Sequence, residues 1–173
     1  MILKNKTLKN NIYLILSSLL LKSCGLFSFS GAALSSDIKT FSIGFYSEVS
    51  DGPMDMAKRF TEGLETKILR TTSLSKETTD GDLQYEGGIK SFSYTTTFST
   101  KNDNKEDSQE VQRLTITIEV SYHNPSDEEA SFKKKIFSSS ADKVSDTETE
   151  DDLVNKIIQN LVDDICHKSI DNW

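Results

Sequence analysis

The sequence predicts an α+β protein in which two helices pack on one face of a four-stranded mixed sheet, in the order β-α-β-β-β-α. Three observations carry this. Residues 113–122, RLTITIEVSY, alternate apolar and polar side chains without a fault, the period of a strand with one buried face. Residues 57–68 and 153–165 instead repeat apolar side chains at spacings of three and four, the period of a helix. One helix follows the first strand and the other closes the chain, so both can cover the same side of the strands between them.

The first strand is read in KTFSIGFY, where Phe41, Ile43 and Phe45 alternate with polar residues. SDGPM then turns the chain, and Pro53 suits the first position of a helix. That helix runs from about Met54 to Thr71, with Ala57, Phe60, Leu64 and Ile68 on one face and Lys67 and Arg70 near its negative end. Gly63 weakens it by under about 1 kcal/mol and allows close approach to the sheet.

GDLQYEGGIKSFSYTTTFS carries Leu83, Tyr85 and Ile89 on one face and then shifts phase to Phe92, Tyr94 and Phe98. A phase change inside one strand implies a bulge, here near Lys90 and Ser91. Residues 100–110 are charged and aperiodic and read as a mobile loop. In the next strand Leu114, Ile116, Ile118, Val120 and Tyr122 point inward, and Arg113, Thr115, Thr117, Glu119 and Ser121 outward. HNPSDEEA turns the chain into a fourth strand, Ser131 to Ser138. The last helix opens with Ser145 and Glu148 in capping-box spacing and carries acids through Asp152. Leu153, Ile157, Leu161 and Ile165 form its apolar face, His167 and Lys168 stand at its end, and Ile170 and Trp173 are expected to pack back.

Ahead of the domain, Ile12–Leu21 is an apolar run too short for the roughly 20 residues of a membrane-crossing helix but suited to a signal-peptide core. Lys4, Lys6 and Lys9 form the positive segment before it. LKSCG, residues 21–25, resembles the lipobox of bacterial lipoproteins, although Lys22 departs from the usual small residue. In that motif the cysteine sulfur takes a diacylglycerol and the chain is cut just before it. Cys24 is therefore the expected lipidation site and membrane anchor. The expected divisions are a signal peptide over 1–23, a Ser/Gly/Ala-rich tether over 24–37 and one domain over 38–173.

Residues 1–23 hold four of the 20 basic residues and none of the 27 acidic ones, which leaves 16 against 27 in the mature chain, a formal −11. Such a balance argues against nucleic acid as a partner and against electrostatic recruitment to anionic lipid. Once Cys24 is used, Cys166 stands alone and is expected to be a small buried hydrophobe. His123 and His167 lie apart and form no ligand spacing with Cys166, so no metal is expected. No cofactor fingerprint, P-loop or nucleophile motif is present. The acids from Asp146 to Asp152 lack the alternation and glycine of a calcium loop and suit a helix start instead.

The one dense basic site is Lys133, Lys134 and Lys135 in SFKKKIF. Regular alternation would put Lys133 and Lys135 on the face of Phe137, and Lys134 beside Phe132 and Ile136. An edge strand guarded by lysines against edge pairing is the simpler reading. A cradle for the phosphates of an anionic lipid, with Arg113 on the neighbouring strand, is the functional one.

With the elements placed, CGLFSFSGAALSSDIKTFSIGFY, GDLQYEGGIKSFSY, RLTITIEVSYHN and LVDDICHKSIDNW together resemble the LptE family of lipopolysaccharide-assembly lipoproteins, in the form found in Bacteroidetes. The resemblance implies a lipoprotein on the periplasmic face of the outer membrane, bound in the lumen of the β-barrel protein LptD. There it would assist barrel assembly and the passage of lipopolysaccharide to the outer leaflet, a scaffold role and not catalysis. The acidic mature chain leaves direct lipopolysaccharide binding to a local patch such as Lys133–Lys135. The competing class is a lipoprotein binding module, or a subunit of another envelope transporter.

Overall fold

β1 (Thr40–Ser47) leads into α1 (Met56–Thr71), and a two-residue strand, β2 (Ser75–Lys76), follows it. Three long strands come next, β3 (Leu83–Thr100), β4 (Ser108–His123) and β5 (Phe132–Asp142), and α2 (Glu150–Ser169) ends the fold. This computed structural model describes residues 34–47, 49, 51–100, 108–144 and 147–170. The chain divides into two compact units, residues 1–30 and 31–173, and every described residue belongs to the second. The signal segment, Cys24, most of the tether, Ser145 and Trp173 lie outside the described residues, as do residues 101–107 of the segment read as a loop.

The sheet is mixed, in the order β2-β1-β3-β4-β5. β1 runs parallel to β2 and β3, whereas β3, β4 and β5 are mutually antiparallel. The expected class and element order hold, with five strands in place of four. The added strand pairs only Thr40 with Ser75 and Phe41 with Lys76. Two polar residues carry no alternation, so no periodicity marks them.

Both helices lie on one face. From α1, Met56, Phe60, Leu64 and Ile68 are buried, four apart, and Ala57 packs at their margin. From α2 come Leu153, Ile157, Leu161 and Ile165, widened by Val154, Ile158, Val162 and Cys166. They close over Phe41, Leu83, Tyr85, Leu114, Ile116, Ile118, Val120 and Tyr122 of the sheet. Each buried aliphatic or aromatic side chain of this size contributes about 1.5–3 kcal/mol, which is the main source of stability. Gly63 faces the other helix and not the sheet as expected: a Cβ there would sit at ordinary contact distance, 3.5 Å from Val162 and 3.6 Å from Ile158.

Helix starts differ from expectation in detail. Pro53 lies in the turn before α1, its carbonyl accepting from the Met56 N–H at 3.2 Å, and Asp55 is the N-cap. At α2 the capping box is Thr149 with Asp152, not Ser145 with Glu148. The Glu148 carboxylate instead accepts from the Val144 N–H at 2.8 Å. Both pairs have the three-residue spacing of the box, but the helix begins at Glu150, which makes Thr149 its N-cap and Asp152 the N3 residue.

Two bulges set the faces of the long strands. In β3 the register steps from Ile89 opposite Ile118 to Ser91 opposite Thr117, so Lys90 is the extra residue, where the aromatic phase shift places it. In β5 the register steps from Lys135 opposite Val120 to Phe132 opposite Tyr122, so Lys133 and Lys134 together face Ser121. Lys134 takes the left-handed conformation, φ 49°, and the regular alternation expected over 132–137 does not hold. Phe132 and Phe137, five residues apart, turn to the same side with ring centroids 5.9 Å apart. β5 is the sheet's edge strand, and its lysines stand where edge pairing would otherwise begin.

Candidate functional site

The bulge in β5 divides the basic run. Lys135 pairs in register with Val120 and lays its ammonium 5.9 Å from the centre of the Phe137 ring, within cation–π reach. Lys133 and Lys134 leave the ladder and line a groove of about 850 Å3 at the end of the sheet. Glu86, Ser121, His123 and Glu128 line it with them. In register Glu86 lies across from Ser121, and Ser121 across from the bulge. Two strand spacings therefore separate the Glu86 and lysine backbones, about 10 Å.

The groove's walls are fixed by hydrogen bonds close to the chain. Ser121 Oγ accepts the Lys134 N–H at 3.1 Å, which satisfies the donor that the bulge removes from the ladder. The connection from β4 to β5 is pinned by Ser131, whose Oγ accepts the Asn124 N–H at 2.9 Å and lies 3.3 Å from the Asn124 carbonyl. Asn124 Oδ1 accepts from Ser126 N–H at 3.0 Å, and Asp127 Oδ1 from Ala130 N–H at 3.1 Å. These side chains close the turn that the sequence HNPSDEEA announces.

Among the described residues, the side chains of Lys133, Lys134, Glu86, Glu128 and His123 make no ion pair or hydrogen bond. The charges farther along the same sheet face are engaged instead. Lys90 lies 3.7 Å from Glu119, and Arg113 grips Asp142 through two bonds of 2.6 and 2.9 Å. That hydrogen bonding holds the Asp142 carboxyl below its usual range and the Arg113 guanidinium above its own. Arg113 is on the strand beside β5, but it lies seven residues along β4 from Val120, roughly 23 Å at strand rise. The structure does not bring it to the lysines.

Between Arg113 and Glu119 the helix-free face is built of small hydroxyls. Thr115 pairs with Ser140 at 2.8 Å and Thr117 with Ser138 at 3.1 Å. Ile136, 55% exposed, is the large apolar side chain on that part of β5. On the opposite side, α1 and α2 enclose a smaller groove of about 440 Å3 that includes Gly63, Val162 and the ion pair of Lys67 with Asp163 at 2.7 Å.

The chemistry these side chains offer is binding. Ser131 and His123 share the groove, yet Ser131 Oγ is committed to the Asn124 backbone and makes no bond to the imidazole. Activation of a serine needs that bond. Cys166 is buried in α2, and among the described residues no group of His, Cys, Asp and Glu could hold a metal ion. Glu86, Glu128, Ser121 and His123 carry no motif in the sequence; the strand register and the turn between β4 and β5 assemble them.

A helix-covered mixed sheet with an open groove lined by charges of both signs is a frame suited to binding. The sequence model of the family described as LptE: Lipopolysaccharide-assembly matches residues 38–169. The chain belongs to the LptE family, a family of non-enzymatic envelope lipoproteins of lipopolysaccharide assembly. A comparison with curated proteins gives no match. Among solved structures, the chain is similar to a minor lipoprotein from Acinetobacter baumannii at 10% identity and TM-score 0.41, covering 73% of this chain and 90% of that one. It is also similar to the PelC dodecamer subunit from Paraburkholderia phytofirmans at 8% identity and TM-score 0.39, covering 80% and 94%. No described helix is long and apolar enough to cross a membrane.

Proposed function

We propose that this protein is the lipid-anchored partner of an LptD-type outer-membrane β-barrel, acting as its plug and assembly factor and assisting lipopolysaccharide insertion into the outer leaflet. The observation that carries this reading is the family match over residues 38–169, which takes in every element of the fold. Cys24 is the anchor in this reading, held at the periplasmic face by its acyl chains. The helix-covered sheet supplies a rigid body with a polar face, which suits the polar interior of a large barrel. Lys133, Lys134 and Lys135 remain the proposed lipid contact, with Lys133 and Lys134 the accessible part of it; Arg113, tied to Asp142, is a weaker candidate.

The test is a detergent pull-down of the tagged, full-length protein from its native membrane. Recovery of a large outer-membrane barrel in near equal amount is expected. Abundant protein with a lipidated Cys24 and no barrel would overturn the partnership and favour a subunit of another envelope transporter.

A further inference from the structure

The groove at the β5 bulge holds both signs of charge. Lys133 and Lys134 stand on one side, and Glu86 and Glu128 line the same space. None of the four is paired with another, although ion pairs of 2.6 to 3.8 Å are common elsewhere on the described surface. A ligand bearing several phosphates and nothing positive would meet two carboxylates as it reached the lysines. Like charge at that range offsets what the ammonium groups contribute. A ligand carrying one phosphate and one ammonium would satisfy both sides.

We infer that this groove binds a zwitterionic group, a phosphate and a primary ammonium on one short linker, as in a phosphoethanolamine headgroup. The phosphate is met by Lys133 and Lys134, and the ammonium by Glu86 and Glu128. Ser121, His123 and Gln84 add hydrogen-bonding groups around the linker, and Phe132 gives the groove an apolar side. The backbone separation of about 10 Å between Glu86 and the lysines leaves room for such a group once the side chains extend from both strands. The left-handed turn at Lys134 is what gives the pair its place, since a regular strand would send successive lysines to opposite faces. The inference deepens the lipid-handling part of the proposed function and rests on it.

The experiment is a chemical-shift titration of the full lipidated chain in a phosphate-free non-ionic detergent, read at the backbone amides of Ser121 and Lys134. Three probes are compared: glycerophosphoethanolamine, glycerol phosphate and ethanolamine. Glycerophosphoethanolamine is expected to bind about tenfold more tightly than either of the others. Lys134→Gln should weaken it and glycerol phosphate alike. Glu128→Gln should weaken it while strengthening glycerol phosphate, a crossing that simple loss of folding cannot produce. Equal or tighter binding of glycerol phosphate by the unaltered protein would overturn the inference, and so would absence of binding by all three. Competition by phosphatidylethanolamine in bicelles would identify a membrane headgroup as the source; without competition, the source is a soluble molecule of the same chemistry. Barrel recovery in the pull-down uses none of these probes, so a failed groove and a failed partnership give different results.

Discussion

The two bulges of the sheet make an instructive pair. Each inserts one lysine-bearing position into a long strand, and each keeps the apolar residues on the helix side. β3 lies inside the sheet, its pairing with β1 ending at Ile89 just before the bulge, and Lys90 lies within 3.7 Å of Glu119. In β5 the strand is an edge, Lys134 is left-handed, and the lysines face open space. An interior bulge repairs the register. At an edge the same device also presents side chains, because no further strand is there to receive them.

The largest effect expected separates the bulges by their packing. β3 and β4 come so close beside the interior bulge that a Cβ at Gly87 would lie 2.0 Å from the Glu119 carbonyl oxygen, which is backbone and cannot swing away. Gly87→Ala should therefore destabilise by about 3 kcal/mol, measured by denaturant unfolding.

Removing the edge bulge should cost less. Deleting Lys134 leaves Phe132 and Phe137 four residues apart, so regular alternation keeps both toward the core, and the same assay should show a change of under about 1 kcal/mol. Lys134→Gly keeps the bulge and relieves the left-handed backbone, so it should stabilise by about 1 kcal/mol. Lys90→Gly should do the reverse, since glycine only adds unfolded-state freedom there, about 1 kcal/mol of destabilisation. Opposite signs for the two lysines would confirm that only one bulge depends on a left-handed residue.

The smallest effect lies beneath the groove. Tyr85 and Tyr122 stack with centroids 4.8 Å apart, but Tyr85 hydrogen-bonds to Ser169 at 2.9 Å while the buried Tyr122 hydroxyl completes no hydrogen bond, although Asn124 and Tyr85 are near it. Tyr122→Phe should raise stability by about 1 kcal/mol, because it removes an unsatisfied polar group. Burial pushes the Tyr122 hydroxyl up to about 12, so the fold favours its neutral form. Its contribution is intact below the unfolded value near pH 10 and is lost as pH rises through about 12. In Tyr122→Phe the melting temperature should fall less between those limits, with Tyr94, also raised to about 12, left to titrate.

The sequence makes the interior bulge readable and the edge bulge not. Tyr85, Ile89, Phe92 and Tyr94 mark the phase on both sides of Lys90, so the slip shows directly in the aromatic and aliphatic pattern. Around Lys134 only Phe132 and Phe137 mark phase, and their odd spacing passes unnoticed beside exposed Ile136. The helices were legible because their apolar faces repeat over several turns. β2 was not, since parallel pairing of two polar residues depends on β1 and leaves no local trace. The groove needed register: Glu86, Ser121 and the lysines come from three strands, and Glu128 from a turn. Phe98, which shares the shifted phase of Phe92 and Tyr94, is 72% exposed, because the helix cover begins where Glu150 meets the Tyr94 hydroxyl, at 2.9 Å.

The most direct measurement is depletion of the protein in its native cells, with surface lipopolysaccharide and the folded, heat-resistant form of the outer-membrane barrel followed together. A partner and plug of that barrel predicts that both fall in step, and that a Cys24→Ala chain, left without its anchor, restores them poorly. Unchanged surface lipopolysaccharide and undiminished folded barrel after depletion would contradict it.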